Sequence, residues 1–161
     1  MSRVYVGLGS NIDDPLLQLH QALEGLGQLP QTTLAAASPL YRSRPVGPSD
    51  QPDFLNMAVQ LDTALTPLAL LDHLQQLEHA QGRQRTRHWG PRTLDLDILL
   101  WGDQSIDEPR LQVPHPQLPH RDFVLQPLLD LDPALCLPDG TTLQHLRAHC
   151  PNNHLEALEP R

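Results

Sequence analysis

The chain has 161 residues, a formal net charge of −8, 39% hydrophobic residues and only 4% aromatics. That length suits a single domain spanning residues 1–161, with one sizeable core built mainly of leucine with valine, isoleucine and alanine. The acidic balance argues against general nucleic-acid binding, which needs a basic surface to displace counterions. All eleven basic residues are arginine, which excludes a P-loop lysine, a Schiff base and a lysine general base.

Val4, Val6 and Leu8 alternate, predicting a first strand over Arg3 to Leu8, ended by Gly7-Leu8-Gly9-Ser10-Asn11. Asp13 or Asp14 then caps a helix with Pro15 in its first turn, an apolar stripe of Leu16, Leu19, Ala22, Leu23 and Leu26, and Gly27 as its close. A second strand is expected over Leu34 to Tyr41. Arg44 to Pro52, with three prolines and a glycine, reads as a restricted loop.

Alternation of Met57, Val59 and Leu61 predicts a third strand over Asn56 to Thr63. Thr66-Pro67 opens a second helix with a face of Leu70, Leu71, Leu74 and Leu77 and a stop at Gly82. After an arginine-rich segment, Leu94 to Leu100 is a strongly hydrophobic strand. The order β-α-β-β-α-β is that of an α+β, ferredoxin-like sandwich. A hairpin near Ser105, a Pro/His-rich loop over Val113 to His120, a helix near Asp122 to Leu129 and a short helix near Leu143 to His149 are expected to follow.

Met1-Ser2-Arg3 runs straight into the first strand, and no apolar run approaches the ~20 residues of a membrane span. The expectation is a cytoplasmic protein with no membrane partner. Cys136 and Cys150 lie outside any CxxC or zinc-ligand spacing and read as reduced thiols.

The residues that carry chemistry cluster between Arg83 and Asp97. Asp95 and Asp97 stand two apart on a strand, so both carboxylates point to one face while Leu94, Leu96 and Ile98 point to the other. Adjacent hard oxygens of this kind suit magnesium, which takes one or two carboxylates and leaves its other positions to water and phosphate. Arg83, Arg85, Arg87 and Arg92 fall within ten positions. Guanidinium groups stay protonated and bind phosphate oxygens in bidentate fashion, so they clamp anions and do not shuttle protons. Carboxylates for a metal beside arginines for phosphate make a phosphoryl-transfer site, in which positioning and electrostatics do most of the catalysis.

The run Arg83-x-Arg85, then Arg87-His88-Trp89-Gly90-Pro91-Arg92-Thr93-Leu94-Asp95-Leu96-Asp97, closely resembles the signature of the 6-hydroxymethyl-7,8-dihydropterin pyrophosphokinases of folate biosynthesis. The likeness spans nearly the whole chain. Gly9-Ser10-Asn11, Pro45-Val46-Gly47-Pro48, Gln51-Pro52-Asp53-Phe54-Leu55-Asn56, Val113-Pro114-His115-Pro116 and Arg121-x-Phe123 match further motifs of that family.

The resemblance implies transfer of pyrophosphate from ATP to the pterin hydroxymethyl group with release of AMP. Asp95 and Asp97 would hold two Mg2+ ions, and Arg83 and Arg92 would act on the phosphates. Gln75, Glu78, Arg85, Ile98, His115 and Arg121 would lie on the ATP side. Phe54 and Phe123 would sandwich the pterin, Asn56 would bond its amide edge, and Ser43, Arg44 and Val46 would complete its recognition through the backbone. Asp95 would also face the pterin, and Trp89 would cover the site. No strong general base stands out, which leaves Asp97 or magnesium-bound water to assist. Nothing demands more than a monomer. Phe54 and Pro116 stand where some members have tyrosine, Thr86 where some have a basic residue, and the segment before Trp89 is one residue shorter than in some relatives.

Two other readings fit parts of the pattern. A metal-dependent nucleotidyltransferase also combines Gly-Ser with DxD, but there the two elements lie close together, whereas Ser10 and Asp95 are far apart. A non-catalytic ferredoxin-like RNA-binding module is opposed by the acidic balance, the scarce aromatics and the lack of an RNA-binding strand motif.

Overall fold

The structure is a computed structural model that describes residues 1–11, 14–43, 53–83 and 94–158, the side chains of residues 82 and 83 excepted. Arg44, Val46, Arg85, Trp89 and Arg92, and the side chain of Arg83, therefore lie outside the described residues, as does Asp13.

The elements in chain order are β1 (Ser2–Ser10), α1 (Pro15–Gly27), β2 (Thr32–Ala37), β3 (Tyr41–Ser43), β4 (Phe54–Thr63), α2 (Pro67–Glu78) and β5 (Asp95–Trp101). The hairpin of β6 (Ile106–Glu108) and β7 (Leu111–Val113), then α3 (Asp122–Leu131), α4 (Leu143–His149) and β8 (Glu156–Ala157), complete the set. The main sheet is antiparallel in the order β5-β1-β4-β3-β8, with β2 also on β4. β4 is long enough to carry β1 along one edge and to share the other between β2 and β3. Two split βαβ units interlock in this way, which is the ferredoxin-like arrangement expected from the element order.

The single strand expected over Leu34 to Tyr41 is two. Ser38 and Pro39 separate them: the Ser38 N–H donates to Ala58 O at 2.8 Å while its Oγ accepts from Ala58 N at 2.9 Å. Pro39 then has no N–H to continue the ladder. The helix starts behave as read, with Asp14 Oδ1 accepting from Leu17 N at 3.4 Å and Thr66 Oγ1 accepting from Ala69 N at 3.2 Å. Leu16, placed on the buried stripe of α1, is 41% exposed, whereas Leu19, Ala22 and Leu26 of the same helix are fully buried. Regular α-helix ends at Glu78, and a π-helical turn, His79–Arg83, carries the chain just past Gly82. Gln81 ties that turn to α1 through bonds from its Nε2 to Gln18 O and Oε1, both at 2.9 Å.

Alternation along the strands sorts the side chains into two cores. Val4, Val6, Leu8, Met57, Val59, Leu61, Leu96 and Ile98 face α1 and α2, where Leu19, Leu26, Leu70 and Leu74 are fully buried. Tyr5, Ala58, Leu99 and Leu100 face α3 and α4 around Leu118, Leu125, Leu128 and Leu143. Each buried leucine contributes about 1.5–3 kcal/mol relative to exposure, so a core nearly free of phenylalanine still suffices. A register shift between Tyr5 and Val6 puts Leu99 and Leu100 on the same side of β5. No helix among the described residues is long and apolar enough to cross a membrane.

Candidate active site

Asp95 and Asp97 pair across the sheet with Gly9 and Gly7, and β1 in turn sets those glycines against Asn56 and Ala58 of β4. All of these positions lie on the face toward α3. Side chains there would fill the space above the sheet, but the middle strand offers none at Gly7 and Gly9. An added Cβ at Gly9 would come within 3.1 Å of Asn56 Oδ1, and one at Gly7 within 3.2 Å of Leu99 Cδ1. The result is a cleft of about 210 Å³ with a backbone floor at these glycines, whose lining includes Ser43, Phe54, Asn56, Asp95, Asp97, Arg121 and Phe123.

Three elements deliver those groups. The end of β3 brings Ser43, which is 1% exposed, to accept from Asn56 Nδ2 at 2.7 Å. That bond fixes the Asn56 carboxamide at the cleft wall. Phe54, at the start of β4, and Phe123, in the first turn of α3, bring two half-buried rings to the cleft. The Arg121 guanidinium carbon lies 5.7 Å from the Phe123 ring centroid, within cation–π range.

β5 is an edge strand, so every second amide points away from β1. The Leu96 N–H, between the two aspartates, donates to Glu78 Oε2 at 2.8 Å. Glu78 is only 4% exposed. A buried carboxylate from α2 thus holds the strand at the point where it presents Asp95 and Asp97. Gln75, on the same helix, accepts from Arg110 Nη2 at 3.1 Å, and Arg110 also pairs with Asp72 at 2.6 Å. Ile98 is 3% exposed and belongs to the core beneath the helices.

His115 lies on the other side of Asp97. Its N–H donates to Leu99 O at 3.1 Å, and its ring Nδ1 accepts from Gln117 N at 3.1 Å. Acceptance at Nδ1 puts the proton of a neutral ring on Nε2, which lies 4.0 Å from Asp97 Oδ1.

The donor set suits magnesium. The carboxylates of Asp95 and Asp97 share a face, and the Asp97 side chain is 53% exposed toward solvent. Among the described residues they belong to no group of three or more potential ligands, so an octahedral ion would take most of its positions from water and substrate oxygens.

The structure therefore gathers Ser43, Phe54, Asn56, Asp95, Asp97, Arg121 and Phe123 at one cleft, with His115 at its edge. Gln75, Glu78 and Ile98 do not line it. The floor glycine Gly7, and Leu99 and Val124 on the walls, escaped the sequence reading. Gly7 falls in the segment read as ending the first strand, but β1 continues to Ser10, and the alternation of Gly7 with Gly9 was the signal for an open floor.

A model of the 7,8-dihydro-6-hydroxymethylpterin-pyrophosphokinase (HPPK) family matches residues 5–133. The chain is 56% identical over 158 residues to the 2-amino-4-hydroxy-6-hydroxymethyldihydropteridine pyrophosphokinase of Pseudomonas aeruginosa, covering 98% of both proteins. It is 44% identical over 160 residues to the enzyme of the same name from Haemophilus influenzae, covering 99% of this chain and 100% of that one. A crystal structure of Plasmodium falciparum HPPK-DHPS superposes with a TM-score of 0.70 at 17% identity, over 92% of this chain and 43% of that longer one, a likeness of fold. With more than half of the chain matched by the family model and relatives this similar along their full length, the chain belongs to the 7,8-dihydro-6-hydroxymethylpterin-pyrophosphokinase family of transferases.

Proposed function

We propose that this chain, acting as a single pyrophosphokinase domain, a monomer and a cytoplasmic enzyme, transfers the pyrophosphoryl group of ATP to 6-hydroxymethyl-7,8-dihydropterin. The observation that carries this reading is the joining, in one cleft, of an aromatic and carboxamide wall with a paired-carboxylate wall. A flat heterocycle fits the first, and a metal-bound phosphate chain fits the second.

Phe54 and Phe123 stack on the pterin ring, and Asn56, held by Ser43, bonds its amide edge. Backbone groups of Ser43, Arg44 and Val46 complete that side, and Trp89 covers it. Asp95 faces both the pterin and the phosphates. Arg121, in the cleft lining beside Phe123, binds on the ATP side. His115 offers its Nε2–H in the same direction, and Arg85 and Gln75 contact the nucleotide. Glu78 and Ile98 serve it from beneath, Glu78 by holding the Leu96 amide and Ile98 through its main chain, its side chain being buried.

The hydroxymethyl oxygen attacks the β-phosphorus, forming an oxygen–phosphorus bond while the bond from that phosphorus to the α,β-bridging oxygen breaks and AMP departs. The hydroxyl proton passes to Asp97 or to water beside it. Arg83 and Arg92 neutralise charge that develops on the phosphate oxygens. Asp95 and Asp97 would hold two magnesium ions, which supply neutralisation of the triphosphate and polarisation of its β-phosphorus.

The test is AMP release in the purified enzyme. Release that requires both the hydroxymethyl-pterin and magnesium supports the reading. Hydrolysis of ATP at the same rate without pterin contradicts it.

A further inference from the structure

The C-terminal tail bonds to two elements that contribute residues to the cleft. Asn153, beyond α4, donates its backbone N–H to Asp122 Oδ2 at 2.8 Å and its side-chain Nδ2 to Asp122 Oδ1 at 3.0 Å. Asp122 is 0% exposed and opens α3 between Arg121 and Phe123, both of which line the cleft. Farther on, β8 pairs with β3, placing Ala157 opposite Tyr41 and Glu156 opposite Arg42. Leu158 N–H also donates to Leu40 O at 3.0 Å. β3 ends at Ser43, which also lines the cleft.

A third strut closes the circuit. The Tyr41 hydroxyl donates to Asp130, near the far end of α3. The path thus runs from β3 through the tail to Asp122, along α3, and back through Asp130 to β3. A buried carboxylate is costly unless its oxygens are bonded. Here both are used on a residue 31 positions away, while the N-cap position, Arg121, makes no side-chain cap bond of its own. The entrance of α3 is held by the tail.

We propose that Asp122 and Asn153 are a positioning pair for the pterin side of the cleft. The pair fixes the first turn of α3, so Phe123 and Arg121 are in place before a substrate arrives and less ordering cost falls on binding. Neither residue touches the ligand. This role rests on the cleft being the pterin subsite as proposed above.

Exchange of the two side chains separates positioning from bulk. Asn153→Asp alone opposes two carboxylates and is the disruptive single change. Asp122→Asn alone leaves two carboxamides, which bond each other once Asn153 turns its Oδ1 toward the new amide. The double variant Asp122→Asn with Asn153→Asp restores both hydrogen bonds, because the carboxamide then donates to the carboxylate and still accepts from the backbone N–H. Affinity is read by the fluorescence of 6-hydroxymethylpterin titrated with folded enzyme well below its melting temperature, beside the KM and kcat of turnover. Asn153→Asp is expected to weaken pterin binding at least fivefold, with pterin KM rising in step and kcat changing less. The exchanged pair is expected to return to within twofold of wild type. Asn153→Asp protein that binds pterin within twofold of wild type, whatever its melting temperature, overturns the proposal, as does an exchanged pair as weak as that single variant. If a single variant does not fold, Asn153→Ala, which keeps the backbone donor, decides by the same fivefold criterion. Failure of the wild-type protein to bind the pterin at all sinks the reading of the cleft instead, so the two failures are distinguishable.

Discussion

Glu78 gives the sharpest separation between a structural and a ligand-binding role. Its carboxylate is 4% exposed and accepts the Leu96 N–H at 2.8 Å, at the edge of the strand that presents Asp95 and Asp97. Glu78→Ala removes a charged acceptor and strands a buried amide, a loss of roughly 2–3 kcal/mol. In a protein of this size, 1 kcal/mol shifts the melting temperature by about 2–4 °C, so the expected fall is roughly 5–10 °C. Glu78→Gln keeps an acceptor oxygen and should fall by about half as much. Because Leu96 lies between the two aspartates, a shift of the strand by a fraction of an ångström should also lower kcat by about tenfold or more. Differential scanning calorimetry and ATP titration of the same samples make the test. If Glu78→Ala melts at the wild-type temperature and loses only ATP affinity, the bond to Leu96 is incidental and Glu78 is a ligand contact.

Other perturbations follow from the same geometry. Gly9→Ala places a methyl group 3.1 Å from Asn56 Oδ1, whose Nδ2 is held by Ser43 at 2.7 Å. Pterin affinity measured by titration should fall about tenfold, equivalent to about 1.4 kcal/mol, while Gly27→Ala, with nothing within 4 Å, should leave it unchanged. Asp97→Ala should lower kcat by about 10²–10³-fold, the scale of losing one electrostatic transition-state contact, with circular dichroism and pterin binding retained. The Tyr41 phenol is pushed up to about 12 by burial and by its bond to Asp130. A raised folded-state value means the native state keeps its proton longer than the unfolded chain. The associated stability is present below about pH 10 and is lost as pH rises toward 12. Urea unfolding of Tyr41→Phe between those limits should show a shallower pH slope than wild type.

Much of the fold was legible because the strands alternate cleanly. Val4, Val6 and Leu8, then Met57, Val59 and Leu61, announce one buried face, and the two proline-started helices announce the elements that cover it. The Asp95 and Asp97 placement followed from the same period of two. What alternation could not reveal is pairing at a distance. The division of β2 from β3 depends on Ser38 folding back on Ala58, and the β8 addition depends on a tail with no apolar pattern of its own. Glu78 read as a residue of the ATP side beside Gln75, and only the tertiary structure shows that its carboxyl meets the edge of β5 at Leu96. Asp122 read as a helix opener for the same reason, since its partner Asn153 is set by tertiary folding rather than by spacing.

The most direct test of the proposed chemistry is to follow two labels through one turnover, with ATP carrying radioactive phosphorus at the β position in one sample and at the γ position in another. Pyrophosphoryl transfer predicts that both labels reach the pterin in equal amount, with one AMP formed for each pterin product. Transfer of the γ label alone, with ADP as the co-product, would contradict it.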